Sequence, residues 1–299
     1  MDSDANDDGI LEEPKRPIIG ARTIEASARL SVLPWEAWSL LTDPVKLSRL
    51  WGDTIKLDFD ETKKGVVVNV LRDCQNTWNI ENISSVEMES IKMHIAGNPW
   101  HGRPDLVDSI FSISIGEEIR FVLDGFDISR SADASFLLGC MWAQSRLSKI
   151  IGYFGGDPHK NVELDCSIIC STELDKSIND IRVAILDAGS AVTWLADEVK
   201  IESFLGGNFW LKWNKPWGTL ALKGSLTVFE TDRLVVTVKD NPFGGKRPIQ
   251  IVFGMSDTNS GTNLKISVSG LPVEPTSSFS VLLLSDLIQL ALISYSIQK

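Results

Sequence analysis

Residues able to do chemistry are few in this sequence of 299 residues, and their spacing points away from most catalytic arrangements. Cys166-x-x-x-Cys170, with His159 upstream, offers three metal-ligating side chains. On a strand, residues four apart share a face but stand about 13 Å apart at ~3.3 Å per residue, too far for one zinc with sulfur bonds of ~2.3 Å. The thiols therefore read as structural, and no metal is expected. His94 and His101 have no acid or thiol partner close in sequence and open no nucleophilic motif. Gly244-Gly245-Lys246-Arg247 could form a small anion nest, but between two strands a glycine turn with solvated bases explains it. Asp286 is the more informative charge. It stands in an otherwise apolar helical run, one turn from Leu282, Leu283 and Leu290. It is either a solvent-facing residue beside Ser285 and Gln289 or a polar anchor at the mouth of a cavity. The aromatic group Phe209, Trp210, Trp213 and Trp217 is the remaining candidate. Strand parity points Trp213 inward with Phe209 and Leu211, and Trp210 outward. The hairpin then either fills a core or walls a flat apolar ligand.

The elements that must position these residues are legible from periodicity. Strands alternating with period two run from Phe209 to Trp213, Leu220 to Phe229, Arg233 to Lys239, Ile249 to Met255 and Asn263 to Ser269. Each has one apolar face, as in a meander with one side on a core. The long apolar helix from Ser278 to Gln298 is the element available to cover that face. Before these strands, Ala191 to Gly206 reads as a helical run. Earlier in the chain, a strand over Arg22–Val32 leads to a helix opened by Pro34 and a second one opened by Asp43-Pro44. Strands then fall at Val66–Leu71, Thr77–Ile83, Val86–Ile95, Ser109–Ile115 and Glu118–Leu123, with a turn-rich loop over Asn98 to Pro104. A helix from Ala132 to Phe154, stopped by Gly155-Gly156, closes this part. Trp38, Leu41, Asp43, Leu47, Leu50 and Gly52 match Val192, Leu195, Asp197, Ile201, Phe204 and Gly206 at a spacing of 154, which predicts an internal duplication.

Composition narrows the function classes. The net charge of −11 makes nucleic acid an unsuitable partner, since phosphate binding needs clustered bases. Residues 1–20 hold six acids and two bases and read as a disordered tail rather than a secretory signal. Four cysteines (Cys74, Cys140, Cys166 and Cys170) without a framework spacing fit a reducing interior, so a cytoplasmic location is expected. The run from Phe279 to Ile297 carries Asp286 and Gln289 near its middle and reads as a buried helix, not a membrane span.

Pro34-Trp35-Glu36-Ala37-Trp38-Ser39-Leu40-Leu41-Thr42-Asp43-Pro44, ending in Leu50-Trp51-Gly52, resembles the opening motif of START-like (SRPBCC, birch-pollen-allergen-like) domains. The stretches Gly224–Thr237 and Gly261–Leu271 are similar to the central hairpin and last strand of bacterial homologues of the activator of the heat-shock chaperone ATPase. The resemblance implies an α+β fold of two tandem helix-grip domains. Each would be an antiparallel sheet wrapped around a long C-terminal helix, with two short helices after the first strand. Residues 21–156 would be the first copy, 157–178 a connector and 179–299 the second, with two separate sheets. The function expected is non-enzymatic binding of a hydrophobic small molecule or lipid between sheet and helix, with no cofactor. The alternatives are a polyketide cyclase or aromatase-like enzyme and a chaperone-associated module that binds a protein partner. The residues expected to line the cavity are Phe209, Leu211, Trp213, Leu222, Leu226, Val236, Ile251, Phe253 and Ile266 from the strands, and Leu283, Asp286, Leu287 and Leu290 from the helix.

Overall fold

Alternating apolar positions make most of this chain strand-forming, while two prolines, the caps Ser177 and Asp187, and two long apolar runs set where its helices fall. A computed structural model describes residues 19–71, 74–96, 109–128, 133–157, 162–216, 218–273 and 278–297. The first half contains β1 (Ile19–Arg29), α1 (Pro34–Leu41), α2 (Pro44–Trp51), β2 (Thr54–Leu57), β3 (Gly65–Leu71), β4 (Cys74–Val86), β5 (Ser90–Ala96), β6 (Ser109–Ile115), β7 (Glu118–Asp127) and α3 (Asp133–Tyr153). The second contains β8 (Val162–Leu174), α4 (Ile178–Leu186), α5 (Ala188–Ala191), β9 (Glu198–Ile201), β10 (Asn208–Lys215), β11 (Gly218–Phe229), β12 (Arg233–Val238), β13 (Ile249–Thr258), β14 (Gly261–Pro272) and α6 (Ser278–Ile297). Each half is a strand, two helices, a six-stranded antiparallel meander and a long helix laid against the sheet. That is the helix-grip fold, present twice.

The halves do not keep separate sheets, contrary to the sequence-based expectation. Their strands form one 14-stranded antiparallel sheet in the order β2-β3-β4-β5-β6-β7-β1-β8-β14-β13-β12-β11-β10-β9. The join is β1 against β8, in register from Ile19 opposite Ser171 to Ala28 opposite Val162. A first strand is an open edge unless something pairs with it on its outer side, and here each half supplies the other's partner. β8 therefore lies within the stretch read as a connector. Residues 1–18 of the expected tail lie outside the described residues, and Ile19 and Gly20 already belong to β1.

The duplication is present, but its spacing is 144 rather than 154 over the opening elements. Glu36 accepts the Leu33 N–H at 3.0 Å, and Asp180 accepts the Ser177 N–H at 3.4 Å. Asp43 caps α2 through the N–H groups of Val45 and Lys46, both at 3.0 Å. Its counterpart Asp187 caps α5 through the Ser190 N–H at 2.8 Å. These backbone bonds hold both carboxyls below the usual range, with the Ser190 hydroxyl the largest cause at Asp187. The helical run expected over Ala191 to Gly206 is instead the end of α5, a turn and the four-residue β9. Val199 and Ile201 alternate there with Glu198 and Lys200, a strand too short for its period to show. The burial patterns of α3 and α6 superimpose at a spacing of 145. Gly139, Trp142, Ala143, Arg146 and Leu147 match Leu284, Leu287, Ile288, Ala291 and Leu292, all buried.

Candidate functional site

The face of the sheet under each long helix is the place where a cavity can form, and the two halves fill it differently. In the first half five rings meet. Trp142 of α3 lies 4.7 Å from Trp78, 5.4 Å from Phe111 and 5.6 Å from Trp51, centroid to centroid, and Phe121 completes the set at 5.3 Å from Phe111 and 5.9 Å from Trp51. Most of these contacts are edge-to-face, the geometry favoured by ring quadrupoles. The helix is also latched. Arg146 donates Nε to Asp53 Oδ2 at 2.8 Å and Nη2 to Oδ1 at 2.6 Å, with both side chains buried. Lys149 Nζ donates to the Trp51 carbonyl at 2.6 Å, and burial pulls the Lys149 ammonium below its ordinary value.

In the second half aliphatic residues stand where the rings were. Leu195 replaces Trp51, Leu222 replaces Trp78 and Leu287 replaces Trp142. A narrow void of 20 Å³ remains, lined by Leu195, Leu211, Trp213, Leu222, Ile251, Phe253, Ile266, Val268, Leu284, Leu287, Ile288 and Ala291. The room is about that of one water, and apolar voids without several polar partners stay dry. The latch is missing as well. Ala291 stands at the place of Arg146 and Ser294 at that of Lys149. Asp197, the counterpart of Asp53, instead accepts the Asn214 N–H at 2.7 Å and pairs with Lys215 at 3.3 Å on the surface. An open cleft of 160 Å³ lies here, between the 192–197 turn, the end of β10 and α6. Trp213 lines both cleft and void, its Nε1 donating to the Leu195 carbonyl at 3.1 Å.

Seven of the expected site residues line the void: Leu211, Trp213, Leu222, Ile251, Phe253, Ile266 and Leu287. Phe209, Leu226 and Val236 are buried on the same face but away from it, with Phe209 packed on Phe253 at 6.1 Å. Asp286 is half-buried and outside the lining. Leu290 does not face the core as expected: it is 56% exposed and lines only the outer cleft. α6 is apolar around most of its circumference, so spacing could not reveal its phase. The inward face is Leu284, Leu287, Ile288, Ala291, Leu292 and Tyr295. Leu283's side chain, Trp217, His101 and His159 lie outside the described residues.

Other chemical candidates resolve into structural roles. Cys166 and Cys170 sit on β8 with thiols buried, and burial pushes Cys170 up to about 12 and also raises Cys140 and Cys166. Thiols held protonated are poor nucleophiles and ligands. Beside them Arg22, fully buried on β1, donates to the Asp127 carbonyl at 2.6 and 3.0 Å and to Asp133 at 2.6 Å, and lies 4.7 Å from the Phe136 ring centre. It ties the start of α3 to the seam. The Gly244-Gly245-Lys246-Arg247 turn is more than a solvated loop. Arg247 crosses the seam to Glu25 at 3.0 Å, Ser27 at 3.0 Å and Asp165 at 3.3 Å, beside a polar depression of 180 Å³. Burial raises the Asp165 carboxyl despite that neighbouring guanidinium. None of these partners was visible in the sequence, because each joins residues far apart in the chain. The one signal available was an arginine, Arg146, in phase with the apolar face of a buried helix.

No family model and no curated protein matches the chain, so the likeness to the chaperone-ATPase activator rests on its motifs alone. Among solved structures, StfQ, a di-domain ARO/CYC from the steffimycin biosynthetic pathway, matches at 9% identity and a TM-score of 0.40, covering 90% of this chain and 96% of its own. BexL, a di-domain ARO/CYC from the BE-7585A biosynthetic pathway, matches at 10% and 0.39, covering 93% and 99%. A Rhodobacter sphaeroides protein matches at 17% and 0.37 over 44% of this chain and 90% of its own. The description as two helix-grip units stands on this chain's own topology. No helix among the described residues is long and apolar enough to cross a membrane.

Proposed function

We propose that the second half binds a hydrophobic small molecule, held between its sheet and α6 in the space formed by the cleft and the void, while the first half is a closed structural partner. The observation that carries this is the opening itself. Where Asp53, Arg146 and Lys149 tie the first half's long helix to its neighbouring turn, the second presents a cleft that has Trp213, Leu287 and Ala291 among its lining residues. Affinity would come from apolar burial, at roughly 25 cal/mol per Å², with few polar contacts for orientation.

A cyclase or aromatase, as the di-domain structures are named, would use the same space and add an acid or base over it. The void lining has no titratable side chain, and the groups available are Asp197 and Lys215 in the outer cleft. Native mass spectrometry of protein purified without denaturation should show a co-purified ligand, and the neutral probe N-phenyl-1-naphthylamine should bind one-to-one. Ala291→Arg, which rebuilds the latch toward Asp197, should abolish both. A wild-type protein that binds neither sinks the proposal. A bound aromatic polyketide that emerges cyclised would favour the enzyme.

A further inference from the structure

Two openings in the second half share a wall. Leu195, Trp213, Leu287 and Ala291 line both the narrow void and the open cleft, so the partition is one layer of side chains thick. Trp213, only 5% exposed, is its largest member. Its ring is seated by the bond from Nε1 to the Leu195 carbonyl. The same carbonyl in the first half, that of Trp51, is held by Lys149 from the long helix. With Ser294 in the place of that lysine, the turn and the tryptophan hold one another.

The mouth of the cleft carries an ion pair with unequal bonds. Asp197 Oδ2 accepts the Asn214 N–H at 2.7 Å, whereas Lys215 Nζ stands 3.3 Å from Oδ1. When Lys215 turns away, Asp197 keeps its backbone donor, so the ammonium can move to a different anion at little cost. Behind it lie the apolar side chains of Trp213, Leu287 and Ala291.

We propose that Trp213 is a movable partition whose displacement joins cleft and void into one apolar site, and that Lys215 holds the anionic end of an amphipathic ligand threaded past it. The ligand class is an aliphatic or aromatic acid with one anionic end and an apolar body. The proposal rests on the binding function above and adds to it a gate and a charge preference.

Two probes that share a ring system separate these claims: N-phenyl-1-naphthylamine, which is neutral, and 8-anilinonaphthalene-1-sulfonate, which carries one negative charge. Stopped-flow fluorescence on the full chain should show association with both probes about tenfold faster in Trp213→Val, where the gate is gone. Trp213→Phe, which keeps a plug but loses its N–H, should fall between that variant and wild type. Lys215→Met should weaken the sulfonate probe about tenfold, the worth of a charged hydrogen bond, and the neutral probe less than about twofold. Wild-type binding with unchanged rates in both Trp213 variants overturns the gate and leaves the binding function standing. Equal effects of Lys215→Met on the two probes overturn the anion preference. Failure of wild type and Trp213→Val alike to bind either probe overturns the binding function and the gate together. Circular dichroism melts confirm that each variant is folded.

Discussion

The two halves share a topology and differ in what fills the space under their long helices. The first half closes it with five rings and an ion pair between Asp53 and Arg146. The second places leucines at three of the ring positions, an alanine at that of the arginine, and is left with a void and a cleft. A helix-grip unit is therefore not a cavity by default. Whether it opens is decided by a few side chains at the junction between the second short helix and the long one.

The comparison can be broken most forcefully at the latch. Removing one partner of a buried ion pair leaves the other charge uncompensated, so Asp53→Ala should cost about 3–5 kcal/mol in urea unfolding. Asp197→Ala, at the matching place on the surface, should leave the midpoint nearly unchanged. Equal losses would mean that the halves are built alike. Next comes the long helix of the second half. Leu287→Ala should cost about 2–5 kcal/mol as a core truncation, while Leu290→Ala, on the exposed face, should stay within about 0.5 kcal/mol. The reverse order would overturn the helix phase that places the void. A smaller effect is expected at the partition, where Trp213→Phe removes one hydrogen bond worth about 0.5–1.5 kcal/mol.

The smallest effect belongs to the seam, which is part of neither cavity. Burial raises the Asp165 carboxyl, so the folded protein keeps that proton to a higher pH than the unfolded chain does. Stability contributed at this site therefore falls as pH rises from the ordinary carboxylate value through the raised one. Asp165→Asn should remove that slope as pH rises above the ordinary carboxylate value of about 4, measured as the difference in unfolding free energy from wild type. A slope that survives the substitution would place its source elsewhere.

Much of the fold was legible because strands with one buried face announce themselves. Val236, Ile251, Phe253 and Ile266 all point inward as their alternation required. The void-lining strand residues followed from the same parity. α6 was legible as a helix but not in its facing, since Leu and Ile surround it and only packing selects a side. The duplication was legible as such, yet its spacing was obscured by the four-residue β9, whose alternation is shorter than any window that could detect it. Asp53 and Arg146 were not legible as a pair. They lie 93 residues apart, and an ion pair across a fold leaves no local pattern.

The merged sheet has a consequence for how this chain meets other molecules. Joining β1 to β8 leaves as the sheet's margins β2 and β9, each only four residues long and carrying Lys56 on one, Glu198 and Lys200 on the other. Short, charged margins are poor templates for strand addition. The long strands that would have been sticky ends of two separate sheets are instead locked edge to edge inside one. Fusion of the copies thus works as protection against self-assembly, and dividing the chain at the central pair would create two long adhesive borders.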